Sequence, residues 1–189
     1  MKVDLGTGAY RVDIWMDGSS RQPMLTELMG GFGLGLRFLE KTPSTEEVLV
    51  FSTGFLTGDG TNDPVSAPRL FVCLRSPLKR KDGRGVMWSS VGGDFGLQLK
   101  RMGVDALVVG GEADLPVYLL IDCGVDGIAV EVKKADPGKT ARDALACIHA
   151  EGYRHAAAVG PAAFKRVRLA SIQFSATRSR FCQPTRVSR

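Results

Sequence analysis

Apolar positions along this chain fall into short runs separated by glycine-rich turns, with few long helical stretches. Val3-Asp4-Leu5-Gly6-Thr7-Gly8-Ala9-Tyr10-Arg11-Val12-Asp13-Ile14 sets two alternating runs around a Gly-Thr-Gly turn and predicts a hairpin. Residues 25–29 lead into Gly30-Gly31-Phe32-Gly33-Leu34-Gly35-Leu36-Arg37-Phe38-Leu39-Glu40, whose second half is spaced as an amphipathic helix. Val48-Leu49-Val50-Phe51 is an apolar strand ending at Ser52-Thr53-Gly54, residues 58–67 form a turn-rich loop, and residues 70–75 form another strand. The glycine-rich stretch 89–96 precedes a helix over 97–101, and Ala106-Leu107-Val108-Val109 is a buried strand closed by Gly110-Gly111. Residues 117–122 and 127–132 predict a hairpin. Residues 140–151 predict the clearest helix, with Ala141, Ala144, Leu145 and Ile148 on one face, and 156–160 and 167–172 predict closing strands.

Strands outnumber helices and do not alternate with them strictly, which points to an α+β fold. An internal echo refines this. Gly30-Gly31, a helix, Val48-Leu-Val-Phe and a glycine turn match Gly92-Gly93, a helix, Ala106-Leu-Val-Val and a glycine turn, about 60 residues on. The expectation is a single domain of two similar β–helix–β repeats with mixed, strand-rich sheets.

The 189 residues are 44% hydrophobic and 24% charged, as expected for one globular domain. No apolar run reaches the length of a membrane span, and the opening Met1-Lys2-Val3-Asp4 lacks the pattern of a secretion signal, so a cytoplasmic protein without membrane association is expected. Cys73, Cys123, Cys147 and Cys182 form no C-x-x-C pair, which argues against a locally built zinc or iron–sulfur site and for reduced thiols. His149 and His155 are too few for a histidine triad or histidine metal centre, and no catalytic residue or metal ligand is assigned. The net charge of +5 comes from the last stretch. Lys165, Arg166, Arg168, Arg178, Arg180, Arg186 and Arg189 stand there with no acidic residue, leaving 18 basic against 20 acidic residues before them. Residues 176–189 read as a basic, disordered tail, and the basic cluster at 79–84 as an exposed turn. No nucleic-acid motif accompanies them, so no nucleic-acid partner is expected.

A Gly-Gly pair before a helix exposes backbone N–H groups at a helix N-terminus, where phosphate and other anions bind. Two such turns suggest a large phosphate-bearing ligand. Arg69, where a loop enters a strand, has the forked guanidinium to clamp the same anion. The sequence Gly31-Phe-Gly33-Leu-Gly35 does not fit the dinucleotide fingerprint, and no G-K-[ST] is present to make a P-loop.

Several of these words occur together in one known order. They are Ser66-Ala67-Pro68-Arg69-Leu70-Phe71-Val72, Arg75-Ser76-Pro77-Leu78, Gly92-Gly93-Asp94-Phe95-Gly96-Leu97-Gln98-Leu99-Lys100, Gly103-Val104-Asp105-Ala106-Leu107-Val108-Val109-Gly110-Gly111 and Pro116-Val117-Tyr118-Leu119-Leu120-Ile121. Phe51-Ser52-Thr53-Gly54-Phe55-Leu56-Thr57-Gly58 and Val159-Gly160-Pro161-Ala162 support them. Over about residues 1–175 the chain resembles the N-terminal domain of the tungsten-containing aldehyde:ferredoxin oxidoreductase family. The resemblance implies a domain of two repeats that serves as the base for a bis-pterin tungsten or molybdenum cofactor (tungstopterin or molybdopterin). In that family the metal is held by the pterin dithiolene sulfurs. The ligands of a neighbouring [4Fe–4S] cluster lie in later helical domains, and aldehydes are oxidised to carboxylates with electrons passed to ferredoxin.

Carried over residue by residue, Arg69 matches the family arginine at the pterin, Gly92 and Gly93 match the Gly-Gly of its Asn-Ser-Gly-Gly turn, and Arg178 matches a later arginine. Ser90 and Val91 stand where the family has Asn and Ser, and Phe32 stands where an Arg is common. The glycines around the later arginine and the helical domains are absent. The resemblance therefore implies a cofactor-base domain completed by a chain carrying the helical domains, inactive by itself. The alternatives are a truncated or frame-shifted remnant and a stand-alone binding module working with a partner.

Overall fold

The longest apolar runs become the middle of a six-stranded mixed sheet. The computed structural model describes residues 1–13, 30–54, 57, 69–76, 85–136, 140–165, 167, 170–175 and 185–186. The strands are β1 (Lys2–Asp4), β2 (Tyr10–Arg11), β3 (Val48–Thr53), β4 (Leu70–Arg75), β5 (Val86–Val91) and β6 (Ala106–Gly110). They lie in the order β2-β1-β6-β3-β4-β5, with β1 parallel to β6 and every other neighbour antiparallel. The strand order is a palindrome when hairpin β1–β2, helix and β3 are laid over hairpin β4–β5, helix and β6. This order agrees with the two repeats expected from the echo, although β1–β6 is parallel where its counterpart β4–β3 is antiparallel. Helix α1 (Gly31–Lys41) belongs to the first unit and α2 (Asp94–Arg101) to the second.

The two helices cover opposite faces of the sheet. On one face Leu39 of α1 packs with Val48, Val50, Cys73 and Val108, flanked by Phe32, Phe38, Phe71 and Val86. On the other, Leu99 of α2 and Val104 pack with Phe51, Leu70, Val72, Val91 and Leu107. β3 and β4 are therefore buried on both sides, which is why Val48–Phe51 and Leu70–Leu74 are apolar without alternation. The second face also receives the hairpin β7 (Val117–Gly124) and β8 (Gly127–Lys134), through Leu119, Ile121, Ile128 and Val130. A small sheet of β9 (Ala157–Val159), β10 (Ser171–Phe174) and β11 (Thr185–Arg186) docks there too. Its Phe174 ring meets Phe95 at 5.2 Å and Phe51 at 6.4 Å. α3 (Ala141–Ala150) packs on β9, with the Thr140 side chain accepting from the Asp143 N–H as its N-cap. A short α4 (Pro161–Phe164) follows.

Three sequence expectations need correction. The run 86–91 is a strand although its pattern shows no clean alternation; as the edge of the sheet it is only partly buried. α2 starts at Asp94, not at residue 97, because Gly96 is a packing residue: a Cβ there would lie 3.0 Å from the Leu70 Cβ. The closing strand predicted over 167–172 lies at 171–174, since the Val167 N–H bonds Ala162 O and the Ala170 N–H bonds Val167 O in turns instead of a ladder. The loop at 58–67, the basic cluster at 79–84 and, apart from Thr185–Arg186, the stretch 176–189 lie outside the described residues.

Gly35 sets the distance between α1 and the sheet. An added Cβ would lie 2.5 Å from Cys73 Sγ and 3.1 Å from Ser52 Oγ. Cys73 itself is fully buried, and burial pushes its thiol pKa up to about 11. It is a neutral packing group. Arg75, two residues on, donates from Nη2 to the Leu39 and Thr42 carbonyls at 2.7 and 2.6 Å and so closes the C-terminal end of α1 with a cation. Gly35→Ala is expected to cost about 1–3 kcal/mol through overpacking, read as a lower urea midpoint. Adding Cys73→Ala removes Sγ and should recover part of that loss; an equal loss in both backgrounds would refute the contact.

Candidate functional site

β3 ends in hydroxyl residues, and these organise one end of the sheet. Ser52 and Thr53 are 0% and 1% exposed and Thr57 is 3% exposed. Ser52 Oγ donates to the Gly31 carbonyl at 2.7 Å, fixing the first residue of α1. The Thr53 N–H and Oγ1 both donate to the Asp105 carbonyl, at 2.9 and 3.3 Å, fixing the entry to β6. Thr57 Oγ1 accepts from the Gly54 N–H at 2.9 Å and donates to the Arg69 carbonyl at 3.0 Å, fixing the entry to β4. Gly54 also bridges Gly30. The N-terminus of α1, the entry to β6 and the start of β4 are thus tied to one short segment.

Arg69 is held at the lip of that end. One step inward, Leu70 pairs with Val91, and Phe71 pairs with Ser90. Arg69 precedes and Gly92 follows that last pair, Leu70–Val91. The Arg69 side chain is exposed, and its Nη1 donates a long hydrogen bond of 3.4 Å to Ser90 Oγ. Of the residues singled out in the sequence, Arg69, Gly92 and Gly93 thus flank the last pair of the β4–β5 ladder. Arg178 lies outside the described residues.

The two Gly-Gly turns, alike in sequence, differ in access. Gly30 and Gly31 are buried, and a Cβ on Gly31 would meet the Phe71 ring at 3.3 Å. Protein fills the space before α1. Gly92 and Gly93 are exposed, and a Cβ on either would find nothing within 4 Å. Gly93 is the N-cap of α2 with φ +102°, and no side chain caps the helix there. Of the two Gly-Gly turns only the second is exposed, so the two expected anion-binding turns are not equivalent.

No group of three or more His, Cys, Asp or Glu among the described residues could hold a metal ion. His149 closes α3, its Nδ1–H donating to the Tyr153 carbonyl at 2.7 Å. No described helix is long and apolar enough to cross a membrane. This end of the sheet carries groups of anion-binding chemistry: an exposed guanidinium bonded to a serine hydroxyl, and a helix that starts at Gly93 without a side-chain cap.

Residues 1–183 match the family model described as aldehyde ferredoxin oxidoreductase, N-terminal domain. The chain belongs to this family. It is 31% identical over 182 residues to a tungsten-containing aldehyde ferredoxin oxidoreductase of Pyrococcus horikoshii, and 32% identical over 184 residues to that of Thermococcus kodakarensis. Each alignment covers 91% of this chain and 28% of the relative, so the chain spans little more than a quarter of these proteins. An aliphatic sulfonate oxidoreductase, WOR-like subunit, of Pyrococcus furiosus is 33% identical over 110 residues, covering 53% of this chain and 16% of that one. Among solved structures, a chain of the active site complex BamBC of benzoyl coenzyme A reductase, in complex with 1,5 dienoyl-CoA, superposes with a TM-score of 0.72 at 29% identity. It covers 92% of this chain and 26% of that chain. Membership of the aldehyde ferredoxin oxidoreductase family agrees with the α+β fold and with the order of the sequence words.

Sequence reasoning missed Thr57 and Trp88. Thr57 sits in a glycine-rich word where a hydroxyl carries no signal, and Trp88 lies on the unpredicted edge strand. Thr57→Val is expected to strand the Gly54 N–H and the Arg69 carbonyl, costing about 1–3 kcal/mol, measurable by urea unfolding; a neutral change would show that this tie is not needed. Gly92→Ala should leave stability within about 0.5 kcal/mol. Gly93→Ala, forced into a left-handed backbone, should lose roughly 1–2 kcal/mol. Equal effects at the two positions would contradict the assigned backbone.

Proposed function

We propose that this chain is the cofactor-base domain of an aldehyde:ferredoxin oxidoreductase-like enzyme. Arg69, Gly92 and Gly93 hold the phosphate of a bis-pterin tungsten cofactor, and Arg178 is assigned to the same site from the family resemblance alone. The observation that supports this reading is that the exposed Arg69 guanidinium, bonded to Ser90 Oγ, and the exposed Gly92–Gly93 turn flank the last β4–β5 pair at one end of the sheet. A phosphate suits this end: the fork and the helix N-terminus offer N–H donors, and among the described residues nothing lies within 4 Å of a Cβ built on either glycine.

When bound, the cofactor would supply the redox chemistry of aldehyde oxidation. This chain's residues would supply a rigid floor and a charge-matched anchor. The names of the curated relatives favour tungsten over molybdenum. Residues 1–175 form the base in this reading and 176–189 a basic extension. The [4Fe–4S] cluster, the substrate pocket and the ferredoxin contact belong to helical domains outside residues 1–189, in a partner chain or a further segment. The reading has precedent in relatives described as a subunit and as a complex. Residues 1–189 alone are expected to be inactive, and the reduced thiols suit a cytoplasmic location.

A tagged copy purified from its own host grown on tungstate is expected to carry tungsten and pterin in a ratio of about one to two. Metal is read by mass spectrometry and pterin by fluorescence after oxidative release. Arg69→Ala removes a charged donor set worth a factor of about 10 or more in affinity, so its pterin content should fall steeply after dilution and gel filtration. Wild-type pterin content in Arg69→Ala, or none in the wild type, would overturn the assignment.

A further inference from the structure

On the α1 side of the sheet, an aromatic cluster stands next to Arg69. Along β5 the side chains of Val86, Trp88 and Ser90 alternate onto this face, and along β4 those of Phe71, Cys73 and Arg75 do the same. Trp88 pairs with Cys73, and Ser90, the partner of Arg69, pairs with Phe71. The indole packs against Phe32 at 4.9 Å between centroids and against Phe71 at 6.2 Å, while Phe32 and Phe71 are 6.4 Å apart. Phe71 in turn lies against Gly31 in the first turn of α1, where φ +58° and the missing Cβ make room for its ring. Two rings thus fix Trp88 from behind, yet it remains 53% exposed. A held, half-exposed indole has two constrained χ angles and a π surface presented to solvent, the condition under which stacking costs least entropy.

Trp88, Ser90 and Gly92 follow one another on this face at steps of roughly 7 Å. The indole therefore stands one to two such steps from the anion-binding donors. A flat heteroaromatic ring bearing a phosphate on a short arm spans that separation, with its ring on Trp88 and its phosphate at Arg69. An aliphatic ligand gains little from this surface, and an anion without a ring leaves the indole uncovered. From this juxtaposition we infer that the Phe32–Phe71–Trp88 cluster is a stacking platform for the planar ring of a phosphate-bearing heteroaromatic ligand whose phosphate Arg69 and the Gly92–Gly93 turn hold. This rests on the proposed function, in which that ligand is a pterin, and adds Trp88 as a ligand-contacting residue.

The test uses the full chain and neopterin monophosphate, whose own fluorescence anisotropy reports binding in every variant. Base–aromatic stacking is typically worth a factor of about 5–100 in affinity. Trp88→Ala is expected to weaken binding about 10-fold, Trp88→Phe to retain most of it, and Phe32→Ala to weaken it less. Circular dichroism spectra should stay unchanged, since Trp88 lies at the surface. Arg69→Ala should weaken neopterin monophosphate but not neopterin, which lacks the phosphate. If Trp88→Ala binds as the wild type does while Arg69→Ala is weakened, the platform is refuted and the anion site stands. If Trp88→Ala is weakened but Arg69→Ala is not, the ring does not share a ligand with Arg69 and the inference fails. No saturable binding by the wild type would overturn the platform and count against the pterin reading as well.

Discussion

The hydroxyls of Ser52, Thr53 and Thr57 are the constraint on which the candidate site depends. A strand buried on both faces must end somewhere, and at its end the backbone groups of its neighbours lose their ladder partners. Here the Gly31, Asp105 and Arg69 carbonyls all find donors on the β3 end. In a dry environment such bonds are strong and an unmade one is costly. One short polar segment thereby sets the start of α1, the entry to β6 and the entry to β4. Arg69 is aimed from a lip it cannot easily leave, although its own side chain is exposed.

The strands between glycine turns were largely legible in the sequence because each was a compact apolar run with clear stops. β4 was recovered at its boundaries, and α3 within a residue of its caps, because Thr140 is a capping residue before a periodic stretch. What misled the reading was glycine itself. Gly96 looked like part of a turn, but it sits inside α2, where the helix must approach Leu70 closely. The word Gly-Gly before a helix occurs twice, and nothing local says that Phe71, forty residues downstream, blocks the first copy. Access is a tertiary property. The same holds for β5, whose half-burial at a sheet edge dilutes the alternation by which strands are recognised. Arg69, Gly92 and Gly93 were legible as chemistry, but only the β4–β5 register shows that they flank the same end pair, Leu70–Val91.

The place of Phe32 also becomes intelligible in this frame. Position 32 lies in the first turn of α1 and faces Trp88 and Phe71. A cation in a first helical turn opposes the helix dipole, and an arginine at this position would be stabilised there mainly by a nearby anion. Phenylalanine removes that unfavourable term and adds ring contacts that hold the indole. At this position the face thus offers ring contacts and apolar area rather than charge.

An open half-site has a definite electrostatic weakness. Arg69, Gly92 and Gly93 face water, where a guanidinium and a helix N-terminus act through a high effective dielectric. The same donors gain several-fold in strength once water is excluded from one side, because the interaction energy scales inversely with that dielectric. In the proposed reading, whatever covers the sheet end therefore converts a weak anion site into a tight one, without adding any contact of its own to the phosphate. The ring platform matters most before that cover is in place. Stacking on Trp88 is far less sensitive to salt and dielectric than the phosphate contact. It can hold the ligand in register during assembly, and the guanidinium then supplies the stronger bond once the site is closed.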